Sequence, residues 1–318
     1  MLEQILKAIG LVWVLYSCYR LYDAIAPWIL PSVPFTRYQK KGSHESWALI
    51  TGPSAGIGMG CAQELALRGF NIVLFGHNED ELEESRALIE SECLRRHKND
   101  IAVRIFVIDA ATSSPDQVQA AVAEMSDLNV TVLVNNVGGM PVQPPATRSL
   151  HEYNAEEVDK TINLNIRFMA HLTRLMIPIL AKNGPSLMLN VGSVGRSGIP
   201  GEAMYSATKS FVSTFSHAIA REMKVEKMKV DVLHLVVGGV ETPTSPLGLS
   251  SGSEGRQFAQ AVMKTAGRAA QRGMLDLSPW FTHVVKSAFF DCMPEWLQFK
   301  MLNDTLKKKR AAHHEKGE

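Results

Sequence analysis

The sequence predicts an α/β fold: a doubly wound parallel sheet with helices on both faces, plus an N-terminal membrane-associated helix and a C-terminal helical extension. Three observations predict it. Six short β-rich runs alternate with longer segments of helical spacing between Ser46 and about Val240. A glycine-rich turn follows the first run, and both ends of the chain differ in composition from the middle. The runs are "WALITG" (47–52), "NIVLF" (71–75), "AVRIFVI" (102–108), "VTVLVNN" (130–136), "LMLNVGS" (187–193) and "KVDVLHLVV" (229–237). They are nearly continuous in apolar residues, as strands covered on both faces require. Between them, segments such as 79–95 and 113–126 carry helical spacing. This alternation argues for right-handed crossovers joining parallel strands.

The N-terminal element comes first. Residues 1–35 are strongly apolar, yet only twelve uncharged residues lie between Lys7 and Arg20. A bilayer needs roughly 18–20. If Arg20 and Asp23 snorkel or pair, Ala8–Leu30 is long enough to cross. The start is not clearly basic and shows no small-residue cleavage site, which argues against a signal peptide. Residues 1–35 are therefore expected to be a membrane anchor or in-plane helix, the alternative being a helix packed on the domain. Arg37, Lys40 and Lys41 follow, and positive flanks tend to stay cytosolic, so the folded domain should face the cytosol.

Composition narrows the partners. The chain has 318 residues, with 33 Lys plus Arg against 32 Asp plus Glu, so no net field favours nucleic acid. Cys18, Cys61, Cys93 and Cys292 form no close pair, which suits free thiols in a reducing compartment. No ligand set has zinc-like spacing, and no metal site is expected. The expected organisation is 1–35 anchor, 46–245 sheet domain, 246–306 loop and C-terminal helices, and 307–318 a basic polar tail opening with "KKKR".

The first strand runs into "TGPSAGIG", with Gly52, Ser54, Gly56, Ile57 and Gly58 ahead of a helical stretch. Glycines there let the backbone approach a pyrophosphate, and a helix N-terminus offers free N–H groups and a favourable dipole. Strand, glycine turn and helix in this order are the dinucleotide-binding context. The second strand ends "LFGHN", with no carboxylate until Glu79. An acidic residue would hold a ribose 2′-hydroxyl and repel a 2′-phosphate, so NADP(H) is favoured over NAD. Two roles are open to His77: a touch on that phosphate, or an ordinary loop position. Asp109 could hold the adenine amino group or cap the helix near Ser113. In "NNVGG" (135–139), Asn136 and its small neighbours either let the backbone pass the cofactor or form a plain turn.

Tyr205 and Lys209 stand four apart in "MYSATKSFVSTFSHAIARE", whose apolar spacing is helical, so both side chains share a face. A nearby ammonium favours the phenolate, bringing the phenol closer to what proton transfer at a carbonyl needs. Lys209 can meanwhile hold the nicotinamide ribose.

These residues resemble the short-chain dehydrogenase/reductase family, whose fold is Rossmann-type. The matches are "TGPSAGIG", "NNVG" at 135–138, "NLNI" around Asn165, Ser193, "YSATK" and "GGVET" at 238–242, spread over about 200 residues in the family's order. The resemblance implies a tyrosine acid, Tyr205, with Lys209 beside it. It also implies a serine polarising the carbonyl, Ser193, and an asparagine supporting a proton-relay water, Asn165. Val240 and Thr242 would contact the cofactor from the loop after the sixth strand. Two departures stand out. The family serine commonly lies thirteen residues before the tyrosine, where this chain has Gly192; Ser193 is preferred to Ser197 because the glycine-rich loop can absorb a one-residue deletion. The proline usual before the glycine after the sixth strand is Val237 here.

Within the family, the chain is similar to the membrane-bound very-long-chain 3-oxoacyl-CoA reductase and 17-beta-hydroxysteroid dehydrogenase branch. The likeness rests on the apolar start, the entry "YQKKGSHESWALITG" (38–52) and "MPEWLQFKMLNDTLKKKR" (293–310). It implies an endoplasmic-reticulum membrane enzyme of lipid metabolism (fatty acid biosynthesis), reducing a ketone on a hydrophobic substrate, a long-chain 3-oxoacyl-CoA first. The alternatives are a steroid, terpenoid or polyketide substrate, or a low-turnover cofactor-binding membrane scaffold. A homodimer is a family expectation. Trp296, Leu297, Phe299, Met301 and Leu302 would meet membrane lipid or line a lipid-substrate channel, or else pack on the core.

Overall fold

A computed structural model describes residues 1–40, 46–97, 101–240 and 253–315. Its frame is a parallel sheet of β1 (Ser46–Thr51), β2 (Asn71–Gly76), β3 (Val103–Val107), β4 (Asn129–Asn135), β5 (Ser186–Val191), β6 (Val230–Leu235) and β7 (Asp276–Leu277). The spatial order is β3-β2-β1-β4-β5-β6-β7. The α/β expectation holds. The order reverses between β1 and β4, and a crevice opens outside the carboxyl ends of strands at such a switch point.

Alternation along each strand divides the core into two. Ala48 and Ile50 of β1, Ile72 and Leu74 of β2, and Leu187 and Leu189 of β5 face one side. There they meet α2 (Gly56–Leu67), α3 (Glu79–Arg95) and α8 (Ser253–Gln271). Trp47, Leu49, Val73, Phe75 and Met188 face the other, against α4 (Pro115–Ala123), α6 (Phe168–Asn183) and α7 (Ala203–Val225). Every residue of β1, β2 and β5 is buried, which is why these strands read as unbroken apolar runs.

Two expectations on element bounds are corrected. The fifth strand stops at Val191, because the chain turns into a short 3-10 segment at Val194–Ser197, so Ser193 lies beyond the strand. The two-residue β7 has no apolar run of its own and follows Met274 into the sheet edge beside β6.

Helix α1 (Leu2–Ile29) leaves the domain. Leu2–Asp23 is 22 residues of sufficient length and apolarity to cross a membrane, about 33 Å at 1.5 Å per residue. Its described large apolar side chains are exposed as far as Tyr22, after which the helix meets the domain. Arg272 pairs with Asp23 at 2.5 Å, Trp28 Nε1 donates to the Pro279 carbonyl at 2.9 Å, and Ala26 is buried. The stretch free to cross therefore ends at Asp23 rather than reaching Leu30, since the residues after it are committed to α8 and its neighbours. At the other terminus, α9 (Phe281–Asp291) and α10 (Glu295–Glu315) carry exposed Phe281, Phe289, Trp296 and Phe299. Trp296 and Phe299 thus do not pack on the core.

Candidate active site

The cleft lies at the carboxyl ends of β1, β4 and β5 and encloses about 800 Å³. Its floor is the turn from β1 into α2. Gly52 and Gly56 take φ of +63° and +58°, a region that favours glycine. A Cβ on Gly58 would stand 2.1 Å from the Gly52 carbonyl, so α2 can lie this close to β1 only with glycine there. Ala55 caps α2 without a side-chain acceptor, leaving the first N–H groups of the helix open toward the cleft. This is an anion site made of backbone, and it fits a dinucleotide pyrophosphate.

Asn136 braces that turn. Its Nδ2 donates to the carbonyls of Thr51 at 3.0 Å and Gly52 at 2.9 Å. Thr51 Oγ1 in turn accepts from the backbone N–H of Asn136 and Val137. The two loops flanking the switch point are thereby bolted together. Ser54, Ile57, His77, Asp109 and Val240 line the cleft, whereas Gly58 and Asn165 stand behind its wall. Thr242 lies outside the described residues. Asp109 does not cap the following helix: Ser114 does, accepting from Gln117 N–H at 3.2 Å. The Asp109 carboxylate instead closes its own turn, on Ala111 N–H and the Thr112 hydroxyl. Among the described residues lining the cleft, Lys209 is the only lysine or arginine, and Glu81 lies near His77 on the opposite rim.

The chemical end is built from β5 and α7. Ser193 takes an extended conformation after β5 and its Oγ accepts from Gly195 N–H at 3.0 Å. The Tyr205 ring stands beside it: a Cβ on Gly195 would lie 3.3 Å from Ser193 Oγ and 3.6 Å from Tyr205 Cε1. Ser197 is exposed and donates to the Val194 carbonyl, away from the tyrosine. Position 192 faces the other way: a Cβ there would stand 1.9 Å from His234 Nε2.

Lys209, one helical turn beyond Tyr205, is buried and donates to the Val191 carbonyl at 3.0 Å. Its ammonium lies 5.7 Å from the centroid of the tyrosine ring. Burial depresses the lysine to about 8. Burial raises Tyr205 above the ordinary tyrosine value, the nearby Ser193 side chain opposes the rise and the Glu202 carboxylate adds to it. The expectation of an acidified phenol is not met in this structure, because removal from water is the largest influence on the ring. Asn165 sits in a single π-helical turn, Asn163–Arg167, a distortion frequent at functional sites. Its carboxamide is fully engaged, accepting from Gly139 N–H at 3.0 Å and donating to the Gly139 and Thr161 carbonyls at 2.8 and 3.0 Å.

Two features were not foreseen from sequence. A buried polar seam runs beneath the site from Asn135 to Asn190 and on to Ser216. Beside the serine loop, Arg196, His217, His234 and Asp276 converge, although no local spacing announces them. His217, His234 and Asp276 form a possible metal-ligand group that sequence spacing did not lead us to expect.

The short chain dehydrogenase family model matches residues 46–247. A very-long-chain 3-oxoacyl-CoA reductase of Debaryomyces hansenii is 32% identical over 271 residues, covering 81% of this chain and 74% of the relative. The rat protein of that name is 28% identical over 313 residues, covering 95% and 94%. Among solved structures, a short-chain dehydrogenase from Sphingobium yanoikuyae in complex with NADPH aligns with a TM-score of 0.61 at 21% identity, over 79% of this chain and 96% of that one. With its family match spanning β1 to β6 and the glycine turn, cleft and Tyr205–Lys209 pair in place, the chain belongs to the short-chain dehydrogenase family and is an oxidoreductase.

Proposed function

We propose that the protein is an NADPH-dependent reductase of a ketone on a hydrophobic substrate, a long-chain 3-oxoacyl-CoA first. The observation that carries the reading is the neighbouring Ser193 and Tyr205 side chains in a cleft that is also lined by an uncapped helix N-terminus. The names of the relatives supply the substrate class.

Ser193 Oγ would donate to the substrate carbonyl oxygen and hold it beside the Tyr205 hydroxyl. When bound, the nicotinamide supplies the hydride to the carbonyl carbon. Tyr205 delivers its proton to the oxygen as negative charge develops there. The phenol enters reduction in its protonated form, as a tyrosine does at neutral pH. Lys209 would hold the nicotinamide ribose, and its ammonium stands near enough to the ring to support the phenolate left behind. With the Asn165 carboxamide committed to Gly139 and Thr161, its part in proton relay falls to the widened backbone of the π-turn. The pyrophosphate would rest on the first turn of α2, with His77 and Asp109 at the adenosine end.

Helix α1 would anchor the enzyme in the endoplasmic-reticulum membrane, with the domain on the cytosolic side and the exposed aromatics of α9 and α10 near the lipid. The test is NADPH consumption by detergent-solubilised protein offered a long-chain 3-oxoacyl-CoA and, separately, steroid ketones. Turnover confined to the acyl-CoA supports the assignment. Turnover confined to steroids moves the substrate class, and none on any ketone removes the reductase.

A further inference from the structure

The connection from Ser193 to Tyr205, one residue shorter than the family pattern, has an anchor of its own. Arg196 lies in the 3-10 segment three residues after Ser193, and its side chain is absent from the cleft wall. Its Nη1 donates to Ser213 Oγ at 2.7 Å and to Asp276 Oδ1 at 3.2 Å, and its Nη2 to Asp276 Oδ2 at 3.4 Å. Asp276 is on β7, at the sheet edge. Its Oδ1 also meets His217 Nε2 of α7 at 2.8 Å and His234 Nδ1 of β6 at 2.6 Å. Four elements therefore meet at one carboxylate.

His234 grips the loop from the other end. It is fully buried, and burial together with the nearby Arg196 and His217 keeps the ring neutral against the pull of Asp276. With Nδ1 committed to Asp276, Nε2 has no hydrogen-bond partner among the described residues and is turned toward Gly192. The backbone around the serine is held as well, by Gly192 N–H on the Leu235 carbonyl and Val194 N–H on that of Val237, both at 2.8 Å. Ser193 is thus bracketed by His234 before it and Arg196 after it. A metal ion is the other cation that two histidines and an aspartate suggest. The guanidinium already stands there, 3.3 Å from His234 Nδ1, and supplies the positive charge.

We propose that Arg196, seated on Asp276 and Ser213 beside His234, is a positioning residue that holds Ser193 Oγ beside the Tyr205 phenol across the shortened loop. Its role in turnover rests on the reductase reading; its role in ordering the loop does not. The first measurement is accordingly hydrogen exchange on the full-length protein in detergent. Arg196→Ala and Asp276→Asn should each speed exchange at the Gly195 and Gly198 amides, which close the 3-10 segment, and leave β4 and β5 unchanged. Unchanged exchange in the loop overturns the proposal.

The second measurement is kinetic. Arg196→Ala should lower kcat about 10- to 100-fold, the scale of a misplaced reacting group, with KM for the cofactor unchanged. Arg196→Lys, which keeps the charge but not the fork, should recover part of the loss. In a Ser193→Ala background, Arg196→Ala should cost less than about twofold more, because the group it positions is gone. Losses that multiply in the double variant, or a KM that rises with them, would contradict action through Ser193. Absence of turnover in the wild type would count against the reductase, while loop exchange would still decide the proposal.

Discussion

Restoring the family's serine spacing should damage this protein rather than improve it. Gly192→Ser places a Cβ 1.9 Å from His234 Nε2, well inside any contact distance. The backbone cannot yield easily, because Gly192 N–H is bonded to the Leu235 carbonyl at 2.8 Å. The imidazole cannot yield without breaking its 2.6 Å bond to Asp276. Overpacking of this kind costs about 1–3 kcal/mol. Loss of a hydrogen bond to a charged group adds about 1.5–3 kcal/mol. The sum is about 2.5–6 kcal/mol, or about 5–24 °C in Tm for a domain of this size. The assay is a double-mutant cycle on melting temperature with His234→Ala, which removes the obstructing ring. In that background Gly192→Ser should cost less than about 1 kcal/mol, a coupling of at least ~1.5 kcal/mol. A Gly192→Ser protein as stable as wild type, or losses that simply add, would refute the argument. So would recovery of full activity in Gly192→Ser/Ser193→Ala.

Further outcomes follow from the same geometry. Burial lowers Lys209 from 10.5 to about 8, so the unfolded chain binds the extra proton between those values and stability rises with pH across that window, by about 3 kcal/mol in all. Reduction should decline as pH passes about 8 and the ammonium is lost, which a pH–kcat profile measures; a profile flat to pH 10 would contradict the role given to Lys209. Asn136→Ala removes both braces on the glycine turn and should weaken cofactor binding about 5- to 100-fold, read by tryptophan fluorescence titration. His77→Arg adds a cation to a described cleft wall whose one lysine or arginine is Lys209 at the catalytic end, and should shift the NADPH-to-NADH ratio of kcat/KM upward about tenfold, while His77→Ala should lower it.

The fold was legible because a doubly covered parallel sheet writes itself into the chain as unbroken apolar runs, and six of its strands are such runs. β7 was not legible: Asp276 and Leu277 are two residues whose place depends on β6 being there first. Tyr205 and Lys209 could be paired from sequence because one helical turn separates them, and the glycine turn because it follows the first strand. Asp109 was open to two roles and does not fill that of helix cap, since Ser114, five residues on, was the better-placed acceptor. The direction of the Tyr205 shift depended on how deeply the ring is buried, which local spacing does not encode. Arg196, His217, His234 and Asp276 were invisible for a topological reason. They are scattered over 81 positions and meet only where α7, β6 and β7 close around the serine loop.

The most direct test of the central claim is NADPH oxidation with a long-chain 3-oxoacyl-CoA by Tyr205→Phe, set beside wild type at equal cofactor occupancy. The Tyr205 phenol lines the cleft beside Ser193, so its removal should leave folding and cofactor binding intact. The account predicts a fall in kcat of about 10²- to 10⁴-fold, the range of a lost general acid. A Tyr205→Phe protein that binds NADPH and reduces the ketone at the wild-type rate would contradict it.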